Sequence, residues 1–564
     1  MSGESVGSPN PLPGSIGRGW NNRTTSGGCT VENGENNPVE EVYMMTRKRT
    51  CFVRKRVSFI ILAMTAFLLV SVLVSNVQAA TKDTLVFVMS AEPVSLDPPN
   101  AVDALSLLVN RLVYDSPLLA TESGDTEPGL FTHWEHSADG LSWTFHIRKG
   151  VKFHDGTPLN AGVVKENWDR CMSQVINVAR RSFFTPWAQN IKVIDEFTIQ
   201  TKSSKPFAPI ISFLAHGSGG MLSPAALAKY KDRVDRNPVG TGPYRFVEWL
   251  PGNRLVLERN DNYWGPKPKI KRIDFRFVKE SGARLMMLEA GEADLVLKVS
   301  PADIDRLKKN PALDTRVEPY NRVMGFYINT TAPLFKDVRF RQALAYAIDR
   351  EAIVKHVMKG VARKSCSVIG GTTYGVADVP CYEYNPEKAK QLLKEAGYKG
   401  EPLTLDTTKG RSTMDLETSV AVQSYWQKVG INVQVGVQEF ATLQSMLNSG
   451  KYQVALLGAS PSTGDGDQVL RSRYHSDFIP PKGATNYSRY ANPEYDKIAE
   501  AQLSELNKAK RLALMKQAQE MLSKDLPFIP LYVLDEVLAV RKNLKGVQTM
   551  STMEVTDVRE AYFE

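Results

Sequence analysis

Cysteine is scarce in this chain, five in 564 residues, which excludes a small disulfide-stapled fold. The phosphate-cradling pattern Gly-x4-Gly-Lys-Ser/Thr is missing, so the chain does not itself hydrolyse ATP by that route. Neither His-Glu-x-x-His nor Gly-x-Ser-x-Gly occurs, which removes the commonest zinc-peptidase and serine-hydrolase signatures. No internal repeat of 20 to 50 residues is found, so a solenoid is not expected. What is present is ordinary globular composition, 42% hydrophobic and 23% charged, at a length that suggests about three domains.

The first 80 residues differ from the rest. Residues 1–43 are rich in Gly, Ser, Asn and Pro and lack periodic apolar positions, so they are read as a disordered or extraneous extension. Met44 and Met45 then precede a basic run ending at Arg56, an apolar stretch Val57 to Val74, and Ser75-Asn-Val-Gln-Ala-Ala80. That is the order of a secretory signal, expected over 44–79 with cleavage near Ala79 and translation beginning at Met44 or Met45. A retained anchor is the alternative, opposed by polar Ser75, Asn76 and Gln78 and by the lack of a basic stop-transfer flank. No Cys follows the apolar stretch to carry a lipid, and the basic run has no adjacent Arg pair, which favours the general secretory route.

Loss of residues 1–79 removes eight Lys/Arg and five Glu, turning the net charge from +9 into a dispersed +6 on 485 residues. Three cysteines remain. Cys366 and Cys381 flank a Gly/Thr-rich loop of 14 residues in an oxidising compartment, so they are expected to pair, with Cys171 a buried thiol.

Along the remainder, strands alternate with helices. Strands are expected at Thr84–Met89, Phe197–Thr201, Tyr244–Trp249, Arg254–Glu258, Ile273–Val278, Asn432–Val437 and Val454–Leu457. Helices are expected at Leu105–Tyr114, Ala161–Met172, Val338–Ile348, Pro386–Ala396, Thr418–Val429 and Asn507–Leu522. Leu141–Arg148 alternates with period two, and Gly150 is expected to turn it into a hairpin with Val151–Phe153. The pattern is an α/β protein of several sheets.

Four of the seven histidines, His133, His136, His146 and His154, lie within 22 residues. Two fall in a segment read as irregular and two on opposite hairpin arms with no nearby Cys, so no metal site is expected. The basic run from Lys267 to Lys279 alternates with Ile270, Ile273, Phe275 and Phe277, which describes one solvated strand face rather than a nucleic-acid surface.

Several phrases occur in order: Ser95-Leu-Asp-Pro98, Phe145-His-Ile-Arg-Lys-Gly-Val-Lys-Phe-His-Asp-Gly156, Pro238-Val-Gly-Thr-Gly-Pro-Tyr244, Asn260-Asp-Asn-Tyr-Trp264 and Gly291-Glu-Ala-Asp294. Phe335-Lys-Asp-Val-Arg-Phe-Arg-Gln-Ala-Leu-Ala-Tyr-Ala-Ile-Asp349 and Asn385-Pro-Glu-Lys-Ala389 continue the series. Together they resemble the family 5 solute-binding proteins of ATP-driven importers, which bind dipeptides, oligopeptides, glutathione or nickel. Most of these phrases mark the scaffold rather than the ligand site.

The resemblance implies a type II, cluster C periplasmic binding fold of two lobes. The first lobe would comprise 80–130 and 236–322, with an extra subdomain inserted at 131–235. The second lobe would run over 323–534, and 535–564 would return to the first. It further implies a monomeric, non-enzymatic periplasmic protein without cofactor, which captures a peptide-like solute and delivers it to two permeases and two ATPases. In dipeptide-binding relatives an Arg clamps the ligand carboxylate and an Asp binds its amine. Arg411 in Thr407-Thr-Lys-Gly-Arg-Ser412 matches the first, whereas Ser462 stands at the Asp position, leaving Asp465 or Asp467 to meet a positive group or to fix the turn. The Ser-Thr-Gly-Asp-x-Asp pattern is closer to the glutathione-binding branch. Tyr320, Asn321, Arg322 and Met324 at the crossover between lobes, and His216 to Gly219, are further candidate lining residues. Nickel chelate, haem or an opine are alternative ligands, and a secreted hydrolase or anchored ectodomain is the alternative from another class.

Overall fold

In this computed structural model the described residues are 82–121, 125–173, 178–483, 485–550 and 555–564. The extension, the signal segment and its cleavage site lie outside them. Two long strands, Leu313–Ile328 and Phe528–Arg541, run antiparallel through the middle of an 11-stranded sheet. On one side of this pair Leu295–Leu297, Thr84–Met89, Arg272–Phe277, Arg254–Arg259 and Tyr244–Leu250 follow in that order. On the other side come Val454–Ala459, Leu403–Thr407 and Val433–Val437. The two halves of the sheet are the floors of the two lobes.

The central pair is regular at both ends and broken in the middle. Glu318 faces Glu536, but the next paired residue is Arg322, facing Leu534, so Pro319, Tyr320 and Asn321 form a bulge. Pro319 accounts for part of this, because it has no N–H to give to the ladder. A second shift follows between Met324 and Gly325. Interrupted pairing at the crossover is where two lobes can turn about each other at least cost to the sheet.

The segment after the first strand builds a separate core. Phe131–His136, Ser142–Ile147, Thr198–Lys202 and Asn190–Asp195 make a four-stranded sheet. Helix Ala161–Met172 starts where the Asn160 side chain accepts the Val163 N–H, and it lays Trp168 between Phe131, Phe145 and Trp187, edge-on to all three. Ser142–Ile147 does not pair with Val151–Phe153 as expected; its neighbours are Phe131–His136 and Thr198–Lys202. The segment Val151–Leu159 instead folds back on itself, with one bridge between Lys152 and Pro158, because His154-Asp-Gly156 turns the chain too soon for a second strand. His133 and His136 are therefore strand residues, and His133 stacks on His146 across the ladder at 5.5 Å.

This inserted core touches the second lobe directly. The Ala208 N–H donates to the Leu503 carbonyl at 2.7 Å, and the Ser504 hydroxyl reaches the Pro206 carbonyl at 3.4 Å. Leu503 and Leu506 pack against the insert's apolar residues, and just ahead of the insert Asp125 lies 3.7 Å from Lys508. The structure thus holds the insert and the second lobe together. Among the described residues no helix is long and apolar enough to cross a membrane.

Candidate functional site

In the second lobe, Leu403–Thr407 pairs in parallel with Val433–Val437 on one side and with Val454–Ala459 on the other. The chain therefore leaves Leu403–Thr407 in one direction and returns on its opposite flank, which opens a crevice at the carboxyl ends of these strands. Three helices begin there, Asp415–Lys428, Phe440–Ser449 and Asp467–Tyr474, so their positive ends line the same edge. An α/β sheet of this design presents its ligand site at this edge, and the site favours anions.

Arg411 lies on the loop after Leu403–Thr407. The loop is fixed by the buried Asp415 carboxylate, which accepts from the Thr408 hydroxyl at 2.7 Å and from the backbone N–H groups of Gly410, Arg411, Ser412 and Leu416 at 2.9 to 3.2 Å. Asp415 thereby holds the backbone while leaving the Arg411 side chain unengaged by it. The Arg411 guanidinium lies over the Phe440 ring, with Cζ 3.3 Å from the centroid. Partial burial, then the neighbouring Arg322 charge, hold its pKa below the usual arginine value. Among the described residues no carboxylate lies within 4.0 Å of it.

The other residues expected at a ligand separate into two groups. Arg322 is at the crossover, its aliphatic stem covering Gly458. Tyr320 presents its carbonyl to Arg363 at 3.0 Å, and Asn321 accepts the Thr372 N–H while its buried Nδ2 has no hydrogen-bond partner. Ser462 exchanges hydrogen bonds with Gln468, 3.2 and 3.3 Å away.

The remaining four have other work. Asp465 is fully buried in a two-pronged ion pair with Arg511, at 2.7 and 2.9 Å, and also accepts from Ser212 of the insert at 3.4 Å. Its carboxylate is committed inside the chain and does not await a ligand amine. Asp467 accepts from Gln502, and burial raises its pKa. Met324 belongs to the apolar core beneath the sheet, packed over Gly458. His216 is buried, takes the Ser218 N–H at Nδ1, and is kept neutral first by burial and then by the Arg180 and Arg111 charges. It caps the turn Gly217–Gly219 and is not brought to Arg411.

One further cluster in this lobe was not signalled by the sequence. Arg473, on the helix after the 459–466 loop, lies 5.5 Å from the Tyr487 ring, which in turn meets Tyr327 edge-on at 5.5 Å. Only the basic Arg471-Ser-Arg473 run could have hinted at this. The paired cysteines 366 and 381 close a loop that packs on the same region, since Tyr374 bridges to Asp465 and Thr372 bonds Asn321. Cys171 is free, and burial pushes its pKa up to about 12, so it is an inert thiol.

One group of ligand-like side chains, His475, Asp477 and Glu500, converges elsewhere in this lobe. His475 Nδ1 accepts the Asp477 N–H at 3.1 Å, so the ring proton belongs on Nε2, facing Glu500 at 3.5 Å. Nδ1 is thus engaged within the chain, while the buried Nε2 makes no hydrogen bond.

A two-lobed α/β clamp with an anion-favouring crevice at the crossover defines a solute-binding protein of the periplasmic type. The description "Bacterial extracellular solute-binding proteins, family 5 Middle" matches residues 125–481, and the chain belongs to that family. It is 32% identical to the glutathione-binding protein GsiB of Escherichia coli strain K12 over 488 residues, 85% of this chain and 94% of that one. Among solved structures, it is similar to the periplasmic binding protein DppA of Helicobacter pylori in complex with peptide STSA. There the TM-score is 0.75 at 26% identity, over 86% of this chain and 98% of that one. HbpA2 of Haemophilus parasuis gives a TM-score of 0.74 at 26% identity, over 85% and 100%.

Proposed function

We propose that this protein captures a peptide-like solute bearing a free carboxylate, glutathione or a short peptide, and presents it to an importer of two permeases and two ATPases. The observation that carries this reading is Arg411: a guanidinium over the Phe440 ring at the carboxyl edge of the sheet, with its loop pinned by Asp415 and, among the described residues, no carboxylate within 4.0 Å of the guanidinium. Its planar fork suits two parallel bonds to one carboxylate. The likeness to GsiB favours glutathione among the candidates, and Ser462 in place of an acid fits a ligand whose amine is not held in the ordinary dipeptide manner.

Closure supplies the signal. Ligand energy gained between the lobes stabilises the closed form over the open one, and the permease reads that shift of population. No bond of the solute is broken. The protein acts as a monomer in the periplasm, exported through the general secretory route with its signal removed near Ala79. Titration of ligand-free protein with glutathione and short peptides tests this. Arg411→Ala should weaken the bound peptide roughly tenfold or more, as expected for a lost charged hydrogen-bond pair. A change below about twofold would overturn the clamp.

A further inference from the structure

The seam between the insert and the second lobe is built around two leucines. Leu503 stands on the last turn of helix Pro493–Ser504, and Leu506 in the short link to helix Lys508–Asp525. Both belong to the second lobe, yet both pack with the insert's core. Leu506 seats on the turn at Gly140, where an added Cβ would stand 2.5 Å from the Leu506 Cδ1 and 3.2 Å from the Pro206 Cβ. Glycine, here at φ +68°, is what lets the leucine sit this close. Beside it the Ala208 N–H donates to the Leu503 carbonyl at 2.7 Å, and the Ser212 hydroxyl reaches Asp465, the acid that Arg511 holds in the first turn of the next helix.

The seam is narrow. The Lys508–Asp125 pair spans 3.7 Å with both side chains 69% exposed, and the Ser504 and Ser212 hydroxyl contacts are each 3.4 Å long. Little beyond the two leucines and one short backbone bond therefore resists separation. So small a contact, between parts joined through the bulged strand pair at 318–325, is made and broken as a unit when the lobes turn about that crossover. Every group in it belongs to the chain, so it favours the closed arrangement equally for every solute.

We propose that this seam is a latch: Leu506 on the Gly140 turn, together with the Ala208–Leu503 bond, tips the balance between open and closed forms toward closed before a solute arrives. It thereby scales the affinity for all solutes by a common factor and does not choose among them. The inference goes beyond the solute-binding reading, because this balance is a property of the chain and is read with no solute added.

The test places spin labels at Ile194→Cys on the insert and Val420→Cys on the second lobe, both exposed positions. Cys171 is buried and Cys366 is paired with Cys381, so the labels go to the two new thiols. Double electron–electron resonance on the mature protein then gives the populations of short and long separations. With no solute added, the short separation is expected to hold the greater share. Leu506→Ala, which removes most of a half-buried side chain, should lower the ratio of closed to open about tenfold, and Leu506→Glu should leave the long separation dominant. Should Leu506→Glu fail to fold, the alanine variant carries the test. A long separation dominant in the labelled parent, or a distribution unaltered in every variant that folds, overturns the latch. Calorimetric titration with glutathione and with Ala-Glu adds a second readout: Leu506→Ala should weaken both by the same factor, within about twofold. Factors that differ more than this make Leu506 a solute contact and overturn the latch. Failure of the parent to bind either probe overturns the solute reading, while the spin-label populations still decide the latch.

Discussion

Replacing Arg511 by Met should unsettle the second lobe more than the loss of any surface charge. The Arg511 guanidinium and the Asp465 carboxylate are 6% and 1% exposed, joined by two bonds of 2.7 and 2.9 Å, and Arg511 also donates to the Gln502 carbonyl. Methionine fills most of the volume but leaves Asp465 ionised and buried without a counter-charge. Breaking such a pair from one side costs about 3–5 kcal/mol, most of it the penalty on the charge left behind. For a lobe-sized unit, 1 kcal/mol corresponds to about 2–4 °C, so the transition of that lobe should fall by roughly 6–20 °C. Adding Asp465→Asn should recover part of the loss, giving a coupling of about 1.5 kcal/mol or more in a double-mutant cycle. Urea unfolding followed by calorimetry reads both quantities. Single variants that each cost under about 1 kcal/mol and combine additively would refute the claim that Asp465 is held internally, and would return it to the list of ligand contacts.

Four further outcomes are expected. Asp557 is buried, which would raise its pKa, yet Arg559 and then Arg111 lower it to about 2. A folded pKa below the unfolded value of 3.8 means this stability is full above about pH 4 and is lost as pH falls through 2. It amounts to about 2–3 kcal/mol, so Asp557→Asn should flatten the pH dependence of the urea midpoint in that window. Opening the 366–381 bridge by the double Cys→Ser change should cost about 3 kcal/mol, read from the same unfolding curves with and without reductant. Asp415→Ala should weaken carboxylate ligands roughly as much as Arg411→Ala, because the loop that carries Arg411 loses all the bonds that side chain accepts; unchanged binding would separate loop order from the clamp. Trp168→Ala, at the centre of the insert's aromatic cluster, should cost about 3–5 kcal/mol in unfolding while leaving Arg411 in place.

The fold was legible where local signals agree with tertiary ones. Helix Ala161–Met172 combines an Asn160 cap with apolar positions at helical spacing, and it forms over the expected residues. Helix Asp415–Lys428 begins three residues before the expected Thr418, because Asp415 is drawn into the turn by the loop it organises. The 142–147 strand was legible as a strand but not in its pairing: alternation fixes which face is buried and says nothing about which neighbour covers the edges. Arg411 could be placed from its motif and loop. Asp465 could not be assigned, since its partner Arg511 is 46 residues away on another helix and an Asp in a Gly-rich turn reads the same with or without it.

The central claim is that the crevice at the crossover holds a carboxylate-bearing, peptide-like solute. Native mass spectrometry of the purified mature protein tests it most directly, because a clamp that closes over its ligand carries that ligand through gentle purification. The account predicts a 1:1 complex with a mass increment of a glutathione-like or short peptide solute, released on unfolding and diminished in Arg411→Ala. A retained metal chelate or sugar, or a peptide cleaved on incubation, would contradict it.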